Sequence, residues 1–416
     1  MIGLASPSEK RSDSEPPPWK VLRDFHRELQ DIVPIPDALK IRSLGERRGL
    51  NLPTWFLGSL RASSKLASKH PKGHRFIAST DTAEMASRKE VAFLRFSFLN
   101  GRPKKLAFFP ACGAGLDLIH FHELYPEIST LFSDIEPDRL QMARANLEEV
   151  SSKNTTMALC HDLGALPFNR SHDYTFVDPA RRRGNQTLGL ESIEPSLSTC
   201  LSLVKSSERF QIKLPAGFQP DRDLPLDLDP STWQWDWIQF GRDVLECVGT
   251  HQPGNSHPRG AHFIDSQNGQ ISSYSGNTHS NIHLERVHDL KPEMNVFIPE
   301  PVLNSSGLLS SWAHHHQLKT TPWAEIFTSS SHEHLPLGKT FRWVGQTRPK
   351  LKDIFKNHPH ARQHRLIAIS GEKRFPSELQ KSLESHNREV PKTSLCLHVL
   401  FLTRGSKNEV LLLEKA

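Results

Sequence analysis

One glycine-rich segment has the composition of a ligand-binding turn. A short apolar run, LAFFP, leads directly into ACGAGLD, which contains Gly113 and Gly115, and a helical pattern follows. Glycines at the junction of a strand and a helix let the backbone turn tightly and approach a ligand closely. Leu118 occupies the position of the third glycine of GxGxxG, which disfavours a dinucleotide. The segment therefore predicts either a mononucleotide-type binding turn or a tight turn without a ligand.

Three acidic residues follow further apolar runs. Asp134 comes after TLFS, 19 residues beyond Gly115, a distance that suits a mononucleotide-binding βαβ unit. An acid at this place can accept two ribose hydroxyls, or it can cap the next helix. Asp162 in CHDL is placed to contact an adenine amine, and Asp178 in FVDPARR stands where the reacting atoms would lie. This order of elements favours a nucleoside-containing cofactor.

The elements that would hold these residues alternate along the middle of the chain. Short apolar runs are separated by helical stretches, which is typical of a parallel sheet with crossover helices. Pro137 stands at the start of one such helix, and its buried stripe is Leu140, Ala143, Leu147 and Val150. The pattern predicts an α/β fold with strands at 105–109, 129–132, 156–160, 174–177 and 210–214.

The N-terminal flank differs from this region in composition. Residues 1–20 are rich in Ser, Pro and charge, so we expect a disordered tail. Residues 21–100 have a helical pattern. The clearest helix is expected after Asp81, which forms a capping-box-like start with Glu84 and is followed by Met85, Ala92, Phe93 and Phe96 at helical spacing.

The C-terminal flank is expected to contain two further segments. The α/β domain is assigned to 101–250. Residues 251–335 are assigned to a connecting region with a hairpin around Asn268-Gly269, because this dipeptide is a strong hairpin signal. Residues 336–416 are assigned to a small α+β domain with a helix at 376–385 and strands at 366–369, 395–402 and 410–413.

The motifs resemble those of one known family. The sequence is similar to the bacterial class I S-adenosylmethionine-dependent methyltransferases that carry a C-terminal THUMP-like domain. The most specific shared strings are FVDPARR and IKLPAGF, and the others are IASTDTAEMASRKEVAFLRF, PACGAGLD, SDIEPDRLQMARAN, HDLGALP, VFIPEP and FRWVGQ to LFLTRG. The resemblance implies a Rossmann-like methyltransferase domain between a helical N-terminal region and a THUMP-like domain. It also implies S-adenosyl-L-methionine as the cofactor.

The resemblance implies roles for residues at the strand ends. Gly113 and Gly115 would pass beneath the methionine moiety, Asp134 would bind ribose, and Asp162 would lie near adenine. Four neighbours are assigned to the same cofactor site: Cys112, Asp117, Ile135 and Leu163. Asp178 and Arg181 would face the methyl acceptor, and Asp178 is placed to take a proton that the acceptor loses.

The sequence departs from the family pattern in ways that bear on function. The glycine turn begins with Pro110, where family members have an acid that pairs with the cofactor's amino group. The Asp-Pro turn has no aromatic residue on which a flipped base could stack. Asp-Pro-x-Arg is also similar to uridine C5-methyltransferases, which need a nucleophilic cysteine, but Cys200 is predicted to lie on a helix. A basic run expected near the start of the tail is reduced to Lys373-Arg374.

Charge is distributed unevenly along the chain. Residues 1–105 contain 20 Lys and Arg against 11 Asp and Glu, residues 341–416 contain 15 against 7, and residues 106–340 contain 17 against 28. Basic ends around an acidic centre predict either that the flanks contact a polyanion or that the solvated faces of these segments simply differ in charge. The leading hypothesis is therefore methylation of a structured RNA, a transfer or ribosomal RNA. The expected phosphate contacts are Arg61, Lys65, Lys69, Lys373 and Arg374.

Two other functions stay open. Pro110 favours a non-catalytic RNA-binding protein on a degenerate methyltransferase scaffold, because the acid for the cofactor's amino group is missing. Methylation of a non-RNA acceptor is the third hypothesis, in which the C-terminal segment contributes only packing.

Other features favour structural interpretations. The five cysteines are far apart and form no CxxC pair, so neither a disulfide framework nor a zinc site is expected. The run of three histidines from His314 is expected on a solvated helix face, and Trp233, Trp235 and Trp237 are expected in the packed face of a sheet. No run approaches the roughly 18 apolar residues that span a bilayer. We therefore expect a cytoplasmic protein without a metal or membrane contact, of unspecified oligomeric state.

Overall fold

The computed structural model describes most of the chain in two compact units. The first is Met1–Lys213 with Thr250–Gly254, and the second is Leu214–Gly249 with Asn255–Ala416. The described residues are 18–31, 37–150, 156–163, 172–180, 182–183, 186–187, 190, 193–225, 228–254, 258–278, 282–291, 294–323, 325–329, 335–347, 363–367, 381, 396–404 and 407–415.

The first unit begins with helices. These are α1 (Pro18–Gln30), α2 (Ala38–Arg47), α3 (Phe56–Ala67), α4 (Thr80–Met85) and α5 (Lys89–Ser97). The first three pack around an apolar cluster formed by Leu22, Phe25, Leu29, Ile41, Phe56 and Leu60. Helix α1 starts inside the segment predicted to be a disordered tail, and the remainder of that segment, 1–17, lies outside the described residues.

The helix predicted after Asp81 ends at Met85, earlier than the helical spacing up to Phe96 indicated. The structure has two helices, α4 and α5, with a break at residues 86–88. The cap is also two residues earlier, because Ser79 Oγ accepts the backbone N–H of Thr82. Asp81 lies in the first turn instead, where its charge suits the helix dipole.

Five parallel strands form the sheet of the first unit. They are β1 (Leu106–Phe109), β2 (Ser129–Asp134), β3 (Thr156–Cys160), β4 (His172–Val177) and β7 (Ser207–Pro215), in the order β3-β2-β1-β4-β7. Crossover helices are α6 (Leu116–Leu124), α7 (Pro137–Val150) and α8 (Leu197–Ser202), and two-residue strands β5 (Arg182–Arg183) and β6 (Gln186–Thr187) pair with each other. The predicted Rossmann-like α/β class is confirmed.

Apolar side chains cover both faces of this sheet, as expected when helices pack on either side. One face contributes Phe109, Phe132, Tyr174 and Phe176 to a large core that includes Phe121 of α6 and Ala143 of α7. On the other face, Phe108 packs with Leu131 and Leu163. Both faces are therefore used for packing, which leaves the carboxyl ends of the strands as the place for a ligand.

The second unit begins with short helix α9 (Pro220–Asp223) and four strands. They are β8 (Gln234–Phe240), β9 (Asp243–His251), β10 (Arg259–Ile264) and β11 (Ile271–Gly276). The predicted hairpin is confirmed, since β10 and β11 pair antiparallel around Asn268-Gly269. Trp233, Trp235 and Trp237 are buried, so the packing interpretation of these residues is confirmed.

A seven-stranded sheet follows in the same unit. Its strands are β12 (Asn295–Pro299), β13 (Lys319–Thr320), β14 (Phe327–Ser329), β15 (Gly338–Thr347), β16 (Gln363–Ile367), β17 (Cys396–Arg404) and β18 (Lys407–Lys415), in the order β13-β14-β12-β15-β18-β17-β16. Helices α10 (Pro301–Ser305) and α11 (Leu309–His315) lie between β12 and β13 in sequence. The sheet begins upstream of residue 336, and the helix predicted at 376–385 lies outside the described residues apart from Lys381. Among the described residues, no helix is long and apolar enough to cross a membrane.

Candidate cofactor and acceptor site

The glycine turn lies between β1 and α6 and has a strained backbone. Ala111, Gly113 and Gly115 all have positive φ, at 54°, 56° and 80°. A Cβ on Gly115 would lie 2.9 Å from the Cβ of Ala143, whereas a Cβ on Gly113 would meet nothing within 4 Å. Gly115 therefore allows α6 to pack on α7, and Gly113 borders open space at the carboxyl end of β1.

Asp134 ends β2 and holds the glycine turn in place. Its Oδ2 accepts the backbone N–H of Gly113 at 2.9 Å, and its Oδ1 accepts the backbone N–H of Glu136 at 3.1 Å. Arg139 Nη1 lies 3.7 Å from Oδ1. Asp134 is buried, so part of its role is structural: it joins the ends of β1 and β2 and caps the chain entering α7.

The residues assigned to adenine lie at the ends of β2 and β3. Ile135 is 61% exposed, which is unusual for a large apolar side chain, and Asp162 is also exposed. The backbone N–H of His161 donates to Asp134 O at 3.1 Å, which ties the two strand ends together. The side chain of Leu163 packs in the core with Phe108, so the prediction that it contacts the cofactor is not supported by its placement.

Asp117 lies in the first turn of α6, beside a buried cation. Arg95 Nη2 is 3.1 Å from Asp117 Oδ1, and Arg95 is fully buried. Burial is the largest influence on Asp117 and would raise its pKa, but the charges of Arg95, Lys213 and His120 hold that pKa at about 2. Asp117 is therefore an ionised carboxylate.

Asp178 follows β4 and pairs with a lysine that the sequence analysis did not single out. Lys213 Nζ, on β7, is 2.6 Å from Asp178 Oδ2 and 3.2 Å from Ser87 Oγ. Lys213 is almost completely buried, while 23% of the Asp178 side chain is exposed. Among the described residues, Asp178 Oδ1 has no hydrogen-bond partner, and Arg181 lies outside the described residues.

Cys200 is not a nucleophile in this structure. It lies on α8, as predicted, and its Sγ donates to Pro195 O. Burial raises the pKa of the thiol to about 12. Because the thiolate is the reactive form, a uridine C5-type covalent mechanism does not fit.

The three N-terminal candidates for RNA contact differ in their availability. Arg61 is exposed, and Lys65 is exposed but pairs with Glu84 at 2.8 Å. Lys69 Nζ donates to the carbonyl oxygens of Ala83, Glu84 and Ala86, which uses all three of its protons. The prediction that Lys69 contacts phosphate is therefore wrong, because its ammonium group caps the end of α4. Lys373 and Arg374 lie outside the described residues.

One cluster in the first unit has the residue types of a metal site. Ligand atoms of His70, His120 and Glu123 lie within 4.8 Å of one another. However, His70 Nδ1 accepts the backbone N–H of Lys72 at 3.0 Å, which places the ring proton on Nε2, 3.0 Å from Glu123 Oε1. Lys89 Nζ also lies 2.9 Å from Glu123 Oε2. These hydrogen bonds and the lysine charge account for the cluster without a cation.

Comparison with solved structures identifies the fold. The chain is similar to a protein from Porphyromonas gingivalis W83 described as a "putative methyltransferase", with a TM-score of 0.70, 17% identity, and coverage of 96% of this chain and 98% of that chain. This similarity establishes the Rossmann-like methyltransferase fold and, at that identity, the fold alone. No protein-family model and no curated protein matches the sequence.

Other solved structures match shorter parts of the chain. Magnesium protoporphyrin IX methyltransferase from Synechocystis PCC 6803, solved with bound SAM, has a TM-score of 0.29 and 12% identity over 58% of this chain and 100% of that chain. The human methyltransferase 10 domain containing protein has a TM-score of 0.29 and 12% identity over 39% of this chain and 80% of that chain.

Proposed function

We propose that this protein is an S-adenosylmethionine-dependent methyltransferase. The observation that carries the proposal is the hydrogen bond from Gly113 N–H to Asp134 Oδ2, because it fixes a strained glycine turn beside open space and a carboxylate at the next strand end. Exposed Ile135 and Asp162 extend this edge with an apolar surface and an acceptor, which suit a purine and its amine. These residues fit an adenosyl cofactor, which when bound supplies an activated methyl group.

Asp178 would orient the methyl acceptor. Lys213 engages its Oδ2. Because no described residue forms a hydrogen bond with Oδ1, this oxygen can accept one from a ligand. A fixed carboxylate can accept a hydrogen bond from an N–H or O–H group, align the acceptor atom and take its proton. Arg181, three residues later, is proposed to contact the same acceptor.

We propose a structured RNA, a transfer or ribosomal RNA, as the acceptor. The support is the excess of Lys and Arg in 1–105 and 341–416, with Arg61 exposed on α3. The C-terminal part would act as a THUMP-like RNA-binding domain. The described cysteines Cys112, Cys160, Cys200 and Cys247 are free thiols, which agrees with the cytoplasmic location of such RNAs.

Transfer of labelled methyl groups tests this proposal. We expect purified protein to label total RNA, and Asp178→Asn to lower the rate at least about a hundredfold while cofactor binding is retained. Asp81→Asn, which changes an exposed acid in α4, should behave as the parent protein.

The other outcomes separate the alternatives. RNA binding without any transfer would favour the non-catalytic RNA-binding protein. Label in protein or small-molecule fractions but not in RNA would favour a non-RNA acceptor. Full activity of Asp178→Asn would remove Asp178 from the acceptor site.

A further inference from the structure

Two ion pairs in the first unit have the same polarity. In each pair the cation is buried and the carboxylate is partly exposed: Arg95 is 0% and Asp117 15% exposed, and Lys213 is 4% and Asp178 23% exposed. The accessible side of the cluster is therefore anionic, and the positive charges lie behind it. Such a surface suits a cationic group on a ligand.

Ser87 connects the two pairs. It is buried in the break between α4 and α5, and its Oγ lies 2.9 Å from Arg95 Nη2 and 3.2 Å from Lys213 Nζ. The same hydroxyl also contributes to lowering the pKa of Asp117. Since a hydroxyl has one proton and two acceptor lone pairs, Ser87 can donate to Asp117 while it accepts from both cations. This arrangement fixes the position of the Asp117 carboxylate.

The cofactor proposed above has a cationic group that lacks its usual partner in this chain. Its methionine end carries an α-ammonium, and Pro110 occupies the position where an acid was expected. Asp117 lies at the start of α6, directly after the glycine turn, whereas Asp178 follows β4, the neighbouring strand of β1. Asp117 is thus the partly exposed carboxylate nearest to the turn in sequence.

We infer that Asp117 binds the α-ammonium of the cofactor in place of the acid missing at Pro110, and that Ser87 and Arg95 are positioning residues for it. The inference rests on the proposed function. It explains how the chain can hold the amino-acid end of the cofactor without a carboxylate at the start of the glycine turn.

A comparison of two ligands tests the inference. S-adenosylhomocysteine has the amino-acid end, and 5′-methylthioadenosine lacks it. In calorimetry, Asp117→Asn should lower the affinity for S-adenosylhomocysteine about tenfold or more, because a charge-assisted hydrogen bond is lost. The affinity for methylthioadenosine should stay within about twofold of that of the parent protein. Asp138→Asn, which changes an exposed acid in the first turn of α7, is the matched control and should change neither affinity.

Ser87→Ala keeps both ion pairs and covers the case in which Asp117→Asn does not fold. We expect this variant to bind S-adenosylhomocysteine about threefold less tightly and methylthioadenosine as tightly as the parent protein, because Arg95 and Lys213 lose the hydroxyl that holds them behind the carboxylates. Equal losses for both ligands, or no loss for either, would overturn the inference while leaving the proposed function intact. Failure of the parent protein to bind either ligand would contradict the proposed function and the inference together.

Discussion

Gly113 and Gly115 have the same backbone requirement but different surroundings. Both have positive φ, yet only Gly115 is packed, with the Cβ of Ala143 at 2.9 Å from the position that a Cβ would take. We expect Gly115→Ala to lower the free energy of unfolding by about 2–4 kcal/mol, from backbone strain and overpacking. Gly113→Ala should cost about 1–2 kcal/mol, from strain alone, but should strongly reduce cofactor binding by filling the open space.

Urea unfolding and calorimetry on the two variants measure these effects. The free energy of unfolding should fall more in Gly115→Ala, and cofactor affinity should fall more, relative to stability, in Gly113→Ala. Unchanged cofactor affinity in a folded Gly113→Ala protein would show that the space above Gly113 is not used.

At the residue scale, the sequence predicted the acids but not their partners. Asp134 and Asp178 were found because they follow recognisable strands. Arg95 and Lys213 were missed because a cation within an apolar run gives no sign that it is buried, and their carboxylate partners lie far away in sequence. Lys69 was misassigned for the same reason, since the carbonyl groups that it binds lie 14 to 17 residues away.

The break between α4 and α5 is stabilised by Lys69. Burial, followed by the charges of Lys213 and Lys65, lowers the pKa of Lys69 to about 8, but its ammonium still satisfies three carbonyl groups. We expect Lys69→Met to lower the free energy of unfolding by about 1–3 kcal/mol, because buried acceptors lose their donor.

Arg61→Gln, on the exposed side of α3, is the control and should change stability by no more than about 0.5 kcal/mol. Chemical denaturation of both variants measures the difference. If Lys69→Met were as stable as the parent protein but bound RNA less tightly, the original assignment of Lys69 to RNA contact would be restored.

Helix α6 carries two buried histidines that should make the protein sensitive to acid. Burial lowers the pKa of both His120 and His122 from 6.5 to about 4. The unfolded chain therefore takes up these protons first as the pH falls. The contribution of the two neutral histidines to the free energy of unfolding is complete above about pH 6.5. It is lost as the pH falls from about 6.5 to 4, by up to about 1.4 kcal/mol per pH unit for each histidine.

Urea unfolding at several pH values between 7 and 4 measures this loss. His122→Asn, which removes one titrating group but keeps a polar partner for Thr130, should make the dependence shallower. The same slope in the variant and the parent protein would show that His122 does not contribute.

At the scale of the whole molecule, the first unit was more predictable than the second. Each strand of the first unit is a short apolar run followed by a turn, so local pattern was enough to place all five. In the seven-stranded sheet, β12 pairs with β15 and β15 with β18, which brings together residues 39 to 74 positions apart. Removal of the chain after residue 335 would therefore divide this sheet, and RNA binding is better tested in the full-length protein.

Direct binding of S-adenosylmethionine is the measurement closest to the central claim. In calorimetry we expect one site in the full-length protein, and we expect Asp134→Ala to weaken binding by about 1–3 kcal/mol, because ribose hydroxyls and the Gly113 N–H lose their acceptor. Asp138→Ala, in the exposed first turn of α7, should bind as the parent protein does. No binding by the parent protein, or equal affinity in a folded Asp134→Ala protein, would contradict the cofactor site described at the ends of β1 and β2.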